Sequence, residues 1–247
     1  MSENKNRKSS GWRLQEISYP SYCSELAELV GIMLGDGSIY GSTRNNKLVT
    51  HQVTIVGDSV KDRDYLTKYV TYLFQYLFGI QPSYYYSKCS NALYVKVRYK
   101  KLLEYLLSIG LKFGNKIKSQ VTIPNWIWQD DNYLRACIRG LYDTDGSIYE
   151  LLPHWPGLFQ LSFDNRNMTL LQDVRKALLH LGFKVSNICA PKTDKTPKIY
   201  ITRKAEVRKF FEEIGFSNPK HYRKVQKAFP NISACNSPVV QWSNFDS

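Results

Sequence analysis

The chain has 247 residues, 43% of them hydrophobic, enough for one large domain or two small ones with a substantial core. Thirty-four Lys and Arg against 21 Asp and Glu leave a net charge of +13, which points to a polyanionic partner, because each neutralised phosphate releases a condensed counterion. The composition argues against a membrane span (no run of ~18 apolar residues), a secretory signal (Met1 to Arg13 is polar and basic) and a disulfide or zinc framework. The five cysteines (23, 89, 137, 189, 235) and four histidines show no ligand spacing, so a reducing interior is expected, cytoplasmic and nucleoid-associated or organellar.

Residues 1–23 read as a basic arm. Ser24-Glu-Leu-Ala-Glu28 then opens like a capped helix, with Ser24 at the N-cap and Glu28 in the first turn. Leu26, Leu29, Val30, Met33 and Leu34 form its apolar stripe. Gly31 and Gly35, four apart on one face, cost helix stability and so imply a close backbone approach by a partner. From Gly37 the period changes to two, and Val49–Ile55 predicts a strand. A helix over 59–78 carries Leu66, Tyr69, Val70, Leu73, Phe74 and Leu77 on one face and stops at Gly79. Strands 83–88 and 93–99 flank a Ser90-Asn91 turn, and helix 100–109 ends at Gly110. A loop containing Lys116 then leads through Pro124.

The same order follows once more: helix 132–144, strands 147–152 and 158–163, helix 168–181, strands 184–190 and 198–203, and helix 204–214. A basic helix, 219–228, comes next, within a stretch (184–227) holding 12 Lys and Arg but 4 Asp and Glu. The chain therefore divides into an arm (1–23), two repeats (24–125 and 126–230) and a tail (231–247). The fold class is α+β: two pseudo-symmetric αββαββα halves, each with a four-stranded antiparallel sheet, packed through helices 24–35 and 132–144. The second of these helices carries Ala136, Gly140 and Thr144, again small residues four apart.

The repeat is sharpest where each of those helices ends. Gly31-Ile-Met-Leu-Gly-Asp36-Gly-Ser-Ile-Tyr40 returns as Gly140-Leu-Tyr-Asp-Thr-Asp145-Gly-Ser-Ile-Tyr149, with six of ten positions identical and a period of 109 residues, the size of a small domain. A single Asp-Gly would be an ordinary turn. Two, on helices with close-packing faces, place Asp36 and Asp145 together across a pseudo-dyad. Phosphodiester hydrolysis needs an activated water and stabilisation of charge on the phosphate and the leaving oxygen. Mg2+ supplies these with one or two carboxylates. Strand parity puts Ser38, Tyr40, Ser42, Arg44, Thr50, Gln52, Thr54, Tyr94, Lys96 and Arg98 on the open face of the first sheet. Ser147, Tyr149, Gln160, Ser162, Lys198, Tyr200 and Thr202 occupy the same face of the second. These are hydrogen-bonding and basic side chains suited to base edges and phosphates, with few acids among them.

Leu29-Val-Gly-Ile-Met-Leu-Gly-Asp-Gly37 and Ile138-Arg-Gly-Leu-Tyr-Asp-Thr-Asp-Gly146 resemble the LAGLIDADG motif of homing endonucleases, and the resemblance covers most of residues 24–228. Two motifs in one chain are similar to the monomeric, pseudo-symmetric class, with an intron-encoded archaeal member as one expectation. The resemblance implies a double-strand break in a long double-stranded DNA target, with Asp36 and Asp145 binding divalent metal and each directing cleavage of one strand. It implies help from the Gly35 and Thr144 carbonyls as metal ligands, and active-site roles for Lys116 and Lys220. Mg2+ or Mn2+ would support cleavage, and Ca2+ binding alone. Leu34 departs from the motif's first acid, which Asp143 keeps. The polar residue that orients water is unmatched among Gly57, Asp58, Phe163, Asp164 and Asn165. No splicing signature is evident at either end, so a free-standing enzyme is expected. An RNA maturase and a catalytically silent DNA-binding regulator remain open readings of the same residues.

Overall fold

The computed structural model describes residues 17–44, 47–189 and 196–230, and for residues 43, 44 and 47–50 the backbone alone. Most of the basic arm, the tail from 231, Cys235 and the side chains of Arg44 and Thr50 thus lie outside the described residues.

Helices α1 (Ser24–Gly35) and α4 (Asp131–Thr144) pack directly on one another at the centre of the molecule. The small residues make this possible. A Cβ at Gly31 would lie 2.2 Å from the Cys137 carbonyl oxygen, and one at Gly140 would lie 2.3 Å from that of Glu28. The backbones touch where the glycines stand. Cys23 rather than Ser24 occupies the N-cap of α1, and it makes no side-chain cap bond. Asp130 caps α4 by accepting from the Asn132 amide at 2.7 Å.

Each central helix runs straight into the first strand of a sheet. In the first half, β1 (Gly37–Arg44), β2 (Lys47–Asp58), β3 (Ser83–Tyr86) and β4 (Ala92–Val97) pair antiparallel in the order β1-β2-β4-β3. The expected helix 59–78 begins later, as a π-helical turn (Tyr65–Val70) continuing into α2 (Thr71–Phe78). The reason is local: Asp58 Oδ1 accepts from the Val60 and Lys61 amides and holds that stretch as a turn. Gly79, at φ 67°, closes α2. Helix α3 (Lys100–Ser108) completes the half.

In the second half, β5 (Gly146–Leu151), β6 (Trp155–Asp164) and β7 (Lys198–Ile201) form a three-stranded sheet in that order, with helices α5 (Met168–His180), α6 (Lys204–Glu213) and α7 (Pro219–Ala228). The fourth strand expected over 184–190 is not formed among the described residues. That segment follows β7 through one isolated bridge, Cys189 with Lys198. At Ser186 the ladder is half made: its amide donates to the Tyr200 carbonyl at 3.0 Å, but the Tyr200 amide donates to the Ser186 hydroxyl, also at 3.0 Å, instead of to its carbonyl.

One continuous core joins the halves. It includes Leu29 and Val30 of α1, Ile138 and Leu141 of α4, inward-facing Val53, Val95 and Val97, and Ile148, Leu161 and Ile199 of the second sheet. Among the described residues no helix is long and apolar enough to cross a membrane.

Candidate active site and nucleic-acid interface

Asp36 is the C-cap residue of α1, and Asp145 that of α4, each followed at once by the glycine that opens its strand. With the helices packed through Gly31 and Gly140, the two carboxylates come within electrostatic reach of one another. Burial, then the Asp145 charge, push Asp36 up to about 7, against the opposing charges of Lys220 and Lys116. Asp145 is also pushed up by burial, with Lys116 and then a hydrogen bond from Asn165 acting against it. That bond, from Asn165 Nδ2 to Asp145 Oδ2, is 2.8 Å long. Asn165 is thus the residue that meets the acid in the second half. In the first half Asp58 is spent on its own turn and on Asn91, and Gly57 has no side chain to offer.

Lys116 reaches the end of α1. Its Nζ donates to the Leu34 carbonyl at 2.9 Å, to that of Met33 at 3.4 Å, and to Gly35 O. The last carbonyls of a helix carry partial negative charge, which an ammonium offsets. Burial lowers the Lys116 pKa, while Asp145 and Asp36 raise it. The lysine is therefore held in a half-dry niche facing both acids. Thr144 is turned inward instead: its Oγ1 donates to the Gly140 and Leu141 carbonyls and fills the space that a Cβ on Gly35 would need.

Lys220 is held from the other repeat. Its Nζ pairs with Asp62 at 2.8 Å, and Asn218 Nδ2 donates to the same Asp62 oxygen, also at 2.8 Å. The second oxygen of Asp62 accepts from the Asp58 amide. Asp62 was not among the residues singled out in the sequence, where it reads as one acid in the exposed-looking run Lys61-Asp-Arg-Asp64. Its position at the start of a predicted helix was the one available signal.

Asp143, the first acid of the second motif, serves the same region from below. Buried at 1% exposure, it accepts from the Ser217 and Asn218 amides, both at 3.0 Å, and so fastens the turn that carries Lys220. Burial and the nearby Glu28 push its carboxyl well above the usual range, against those two bonds. Glu28, expected in a first helical turn, is buried as well. It is paired with Arg139 of α4 (2.7 Å) and accepts from the Ser217 hydroxyl (2.6 Å). Tyr65, from the π-helical turn, is buried beside this cluster, and its hydroxyl has no partner among the described residues.

On the sheets, Ser38 and Tyr40 are exposed, and Gln52, Tyr94 and Lys96 half-buried, while Val53, Val95 and Val97 between them are buried. Arg98, just beyond β4, is exposed. It donates to Gln52 Oε1 at 3.2 Å, and Gln52 donates in turn to Thr54 Oγ1 at 2.9 Å. Lys96 lies over the Tyr85 ring, 4.4 Å from its centroid. In the second half Tyr149 is exposed and Ser147, Lys198, Tyr200 and Thr202 are half-buried. Ser42 in β1 is half-buried. Three residues expected on open surface are not there: Thr54, Gln160 and Ser162 are 6%, 8% and 1% exposed. Strand parity does place them on that face, but each lies on a strand flanked by others and beside at least one longer side chain, Lys96, Tyr149 or Tyr200. Thr54 pairs with Ser38 and Lys96, and Ser162 with Ser147 and Tyr200.

Among the described residues, no three or more His, Cys, Asp or Glu side chains are grouped to hold a metal ion. A divalent ion between Asp36 and Asp145 would therefore complete its shell with backbone carbonyls, phosphate oxygens and water, a coordination that Mg2+ accepts. The donor set fits such an ion. The two carboxylates repel one another, and the Gly35 carbonyl already attracts a cation, the Lys116 ammonium.

Residues 132–215 match the family model of the LAGLIDADG-like domain. The chain is 30% identical over 130 residues to a DNA polymerase of Thermococcus kodakarensis, covering 49% of this chain and 7% of that protein. It is 24% identical over 208 residues to the replication factor C small subunit of Methanocaldococcus jannaschii, covering 83% of this chain and 10% of that protein. The chain spans only 7% to 22% of the length of the curated relatives it matches. Among solved structures, the homing endonuclease I-DmoI aligns with a TM-score of 0.56 at 20% identity, over 78% of this chain and 95% of that one. The meganuclease I-SmaMI aligns with a TM-score of 0.52 at 14% identity, over 83% and 90%. I-DmoI has been solved with DNA and Mn or Ca, and I-SmaMI with cleaved DNA. The shared fold is that of the LAGLIDADG homing endonucleases.

Proposed function

This chain carries a LAGLIDADG-like domain within a two-repeat LAGLIDADG fold, and from that premise we propose that it is a site-specific endonuclease of double-stranded DNA, acting as a monomer. The observation that carries this reading is the meeting of Asp36 and Asp145 at the ends of two packed helices, within reach of Lys116 and Lys220.

Asp36 and Asp145, with the Gly35 and Thr144 carbonyls, would hold divalent metal, Mg2+ or Mn2+, which supplies an activated water and neutralises charge on the phosphate and the leaving oxygen. The chain's own groups do the rest. Asn165 fixes the orientation of Asp145. Lys116 and Lys220 place fixed positive charge where negative charge grows as the phosphodiester breaks, an effect felt more in rate than in affinity. Arg98, Lys96, Tyr40, Tyr149 and Lys198 present cationic and aromatic side chains to the duplex, and the buried Thr54, Gln160 and Ser162 support those around them instead of touching bases.

Selection of cleaved sites from a randomised duplex library with Mg2+ supplies the target. On that target Asp36→Asn and Asp145→Asn should each abolish double-strand cleavage, with binding retained or tightened because a carboxylate that repels phosphate is gone. Ca2+ should support binding without cutting. Wild-type cleavage by either variant would end the two-carboxylate reading. A chain that cuts no duplex but accelerates intron splicing would be a maturase.

A further inference from the structure

Helix α7 extends away from the catalytic region, and its basic residues are not scattered. Lys220, Lys224 and Lys227 stand four and three apart, on one face, while His221 and Val225 on another face are buried. From the first to the last of these lysines the helix rises about 10 Å. Across from its outer end, the start of α6 contributes Lys204, and the hairpin β5-β6 contributes Phe159 and Glu150. Together they line an open groove of about 480 Å3. None of Lys204, Lys224 and Lys227 forms an ion pair with a described carboxylate. The one acid in the groove, Glu150, is occupied in its own hairpin, accepting from the Gly157 amide at 2.7 Å. The charge is also concentrated: partial burial, and then the like charges of Lys220 and Lys61, lower the Lys224 pKa.

Ammonium groups three and four apart on a helix repel one another, and a run of phosphates is the counter-surface that offsets that repulsion. One strand of duplex advances 3.4 Å along the axis per phosphate while also winding about it, so the lysine face spans about two successive phosphates of a strand. It begins at Lys220, beside the two acids, and leads outward. We propose that the lysine face of α7, with Lys204 across the groove, is a second anchoring surface that takes the phosphate backbone of duplex DNA on the flank of the second repeat. This rests on the DNA reading above and adds to the sheets a helical, sequence-independent contact. Phosphate contacts of this kind fix register and add affinity without reading bases.

The test uses the full chain and a random-sequence duplex of about 40 base pairs, because counterion release governs non-specific binding. The measured quantity is the slope of log K against log [salt]. Removing three phosphate contacts with Lys204→Gln, Lys224→Gln and Lys227→Gln together should flatten that slope by two to three units, at about 0.9 per contact. Lys101→Gln, on α3 in the other repeat, should change it little. Arginine at the same three positions should restore it. A melting temperature equal to wild type checks the fold, and ethylation interference on the selected target should lose its outermost phosphates in the glutamine variant. An unchanged slope in a folded triple variant overturns the proposal. So does a loss confined to single-stranded RNA, which would give the groove a different occupant. A wild-type slope shallower than about −2 would instead defeat the DNA reading on which the proposal rests.

Discussion

Asp36 exchanges its proton near neutrality, because burial and Asp145 hold it up at about 7 where a free aspartate ionises near 3.8. Between those values the folded chain keeps a proton that the unfolded chain has released. The stability this contributes is complete below the unfolded value and lost as pH rises through 7. Asp36→Asn should therefore melt above wild type at pH 8 in the presence of a chelator, with the gap closing toward pH 4. A variant that melts below wild type at pH 8 would contradict the burial argument. Asp62→Asn keeps the shape of its site but removes the charge that holds Lys220. It should slow single-turnover cleavage on the order of tenfold, about 1.4 kcal/mol in the barrier, while duplex binding is unchanged or tighter. A loss of affinity with the rate intact would make Asp62 part of the binding surface. The acids were readable as residues because they recur at matching places in two repeats, and the lysines through the resemblance to the LAGLIDADG motif proteins. Asp62 was not, because its meaning lies in Lys220 and Asn218 of the other repeat, and no local pattern links them. Asn165 was one of several candidates until its bond to Asp145 separated it from Phe163 and Asp164.

At the scale of elements, alternation along β4 and just beyond it gives adjacent residues opposite duties. Val97 is 2% exposed, whereas Arg98 is exposed and bonded to Gln52. Val97→Ala should cost about 1–3 kcal/mol in urea denaturation with target preference kept. Arg98→Ala should leave stability alone and weaken binding or relax preference at one base position, worth ~1–3 kcal/mol. The reverse pair of phenotypes would mean that the strand faces are exchanged. Helices were legible from their apolar period and their stops, and α7 falls where the basic pattern put it. The late start of the 59–78 helix and the lost strand were not, since each is decided by one side chain competing for backbone bonds: Asp58 in the first case and Ser186 in the second. Parity also says which way a side chain points but not what lies over it, which is why Thr54, Gln160 and Ser162 looked accessible.

At the scale of the whole molecule, the two repeats share one core and one helix pair, with the Glu28–Arg139 pair buried between α1 and α4. No repeat can expose its central helix without stripping the other. Urea unfolding should therefore be a single transition, with intrinsic fluorescence and far-ultraviolet circular dichroism superimposing. Two separable transitions would mean that each repeat has a core of its own. The pseudo-symmetry that the duplicated motif announced is broken in the details. Among the described residues, one acid has Asn165 and the other no such partner, and one sheet has four strands and the other three; Leu34 stands where Asp143 does.

The tie between Asp62 and Lys220 also bears on how such a chain can be recombined. Each repeat supplies an acid of its own, but the lysine of the second is held by a carboxylate encoded in the first. A chimera that grafts the second repeat onto a foreign first repeat inherits Lys220 without its keeper, unless the donor carries an acid at the start of its corresponding helix. A homodimer of second repeats would meet the same deficit twice. Two halves assembled from different sources should thus cut at full rate only when Asp62, or its equivalent, travels with them, which makes that position, beside Glu28 with its bonds to Arg139 and Ser217, a compatibility marker between the repeats.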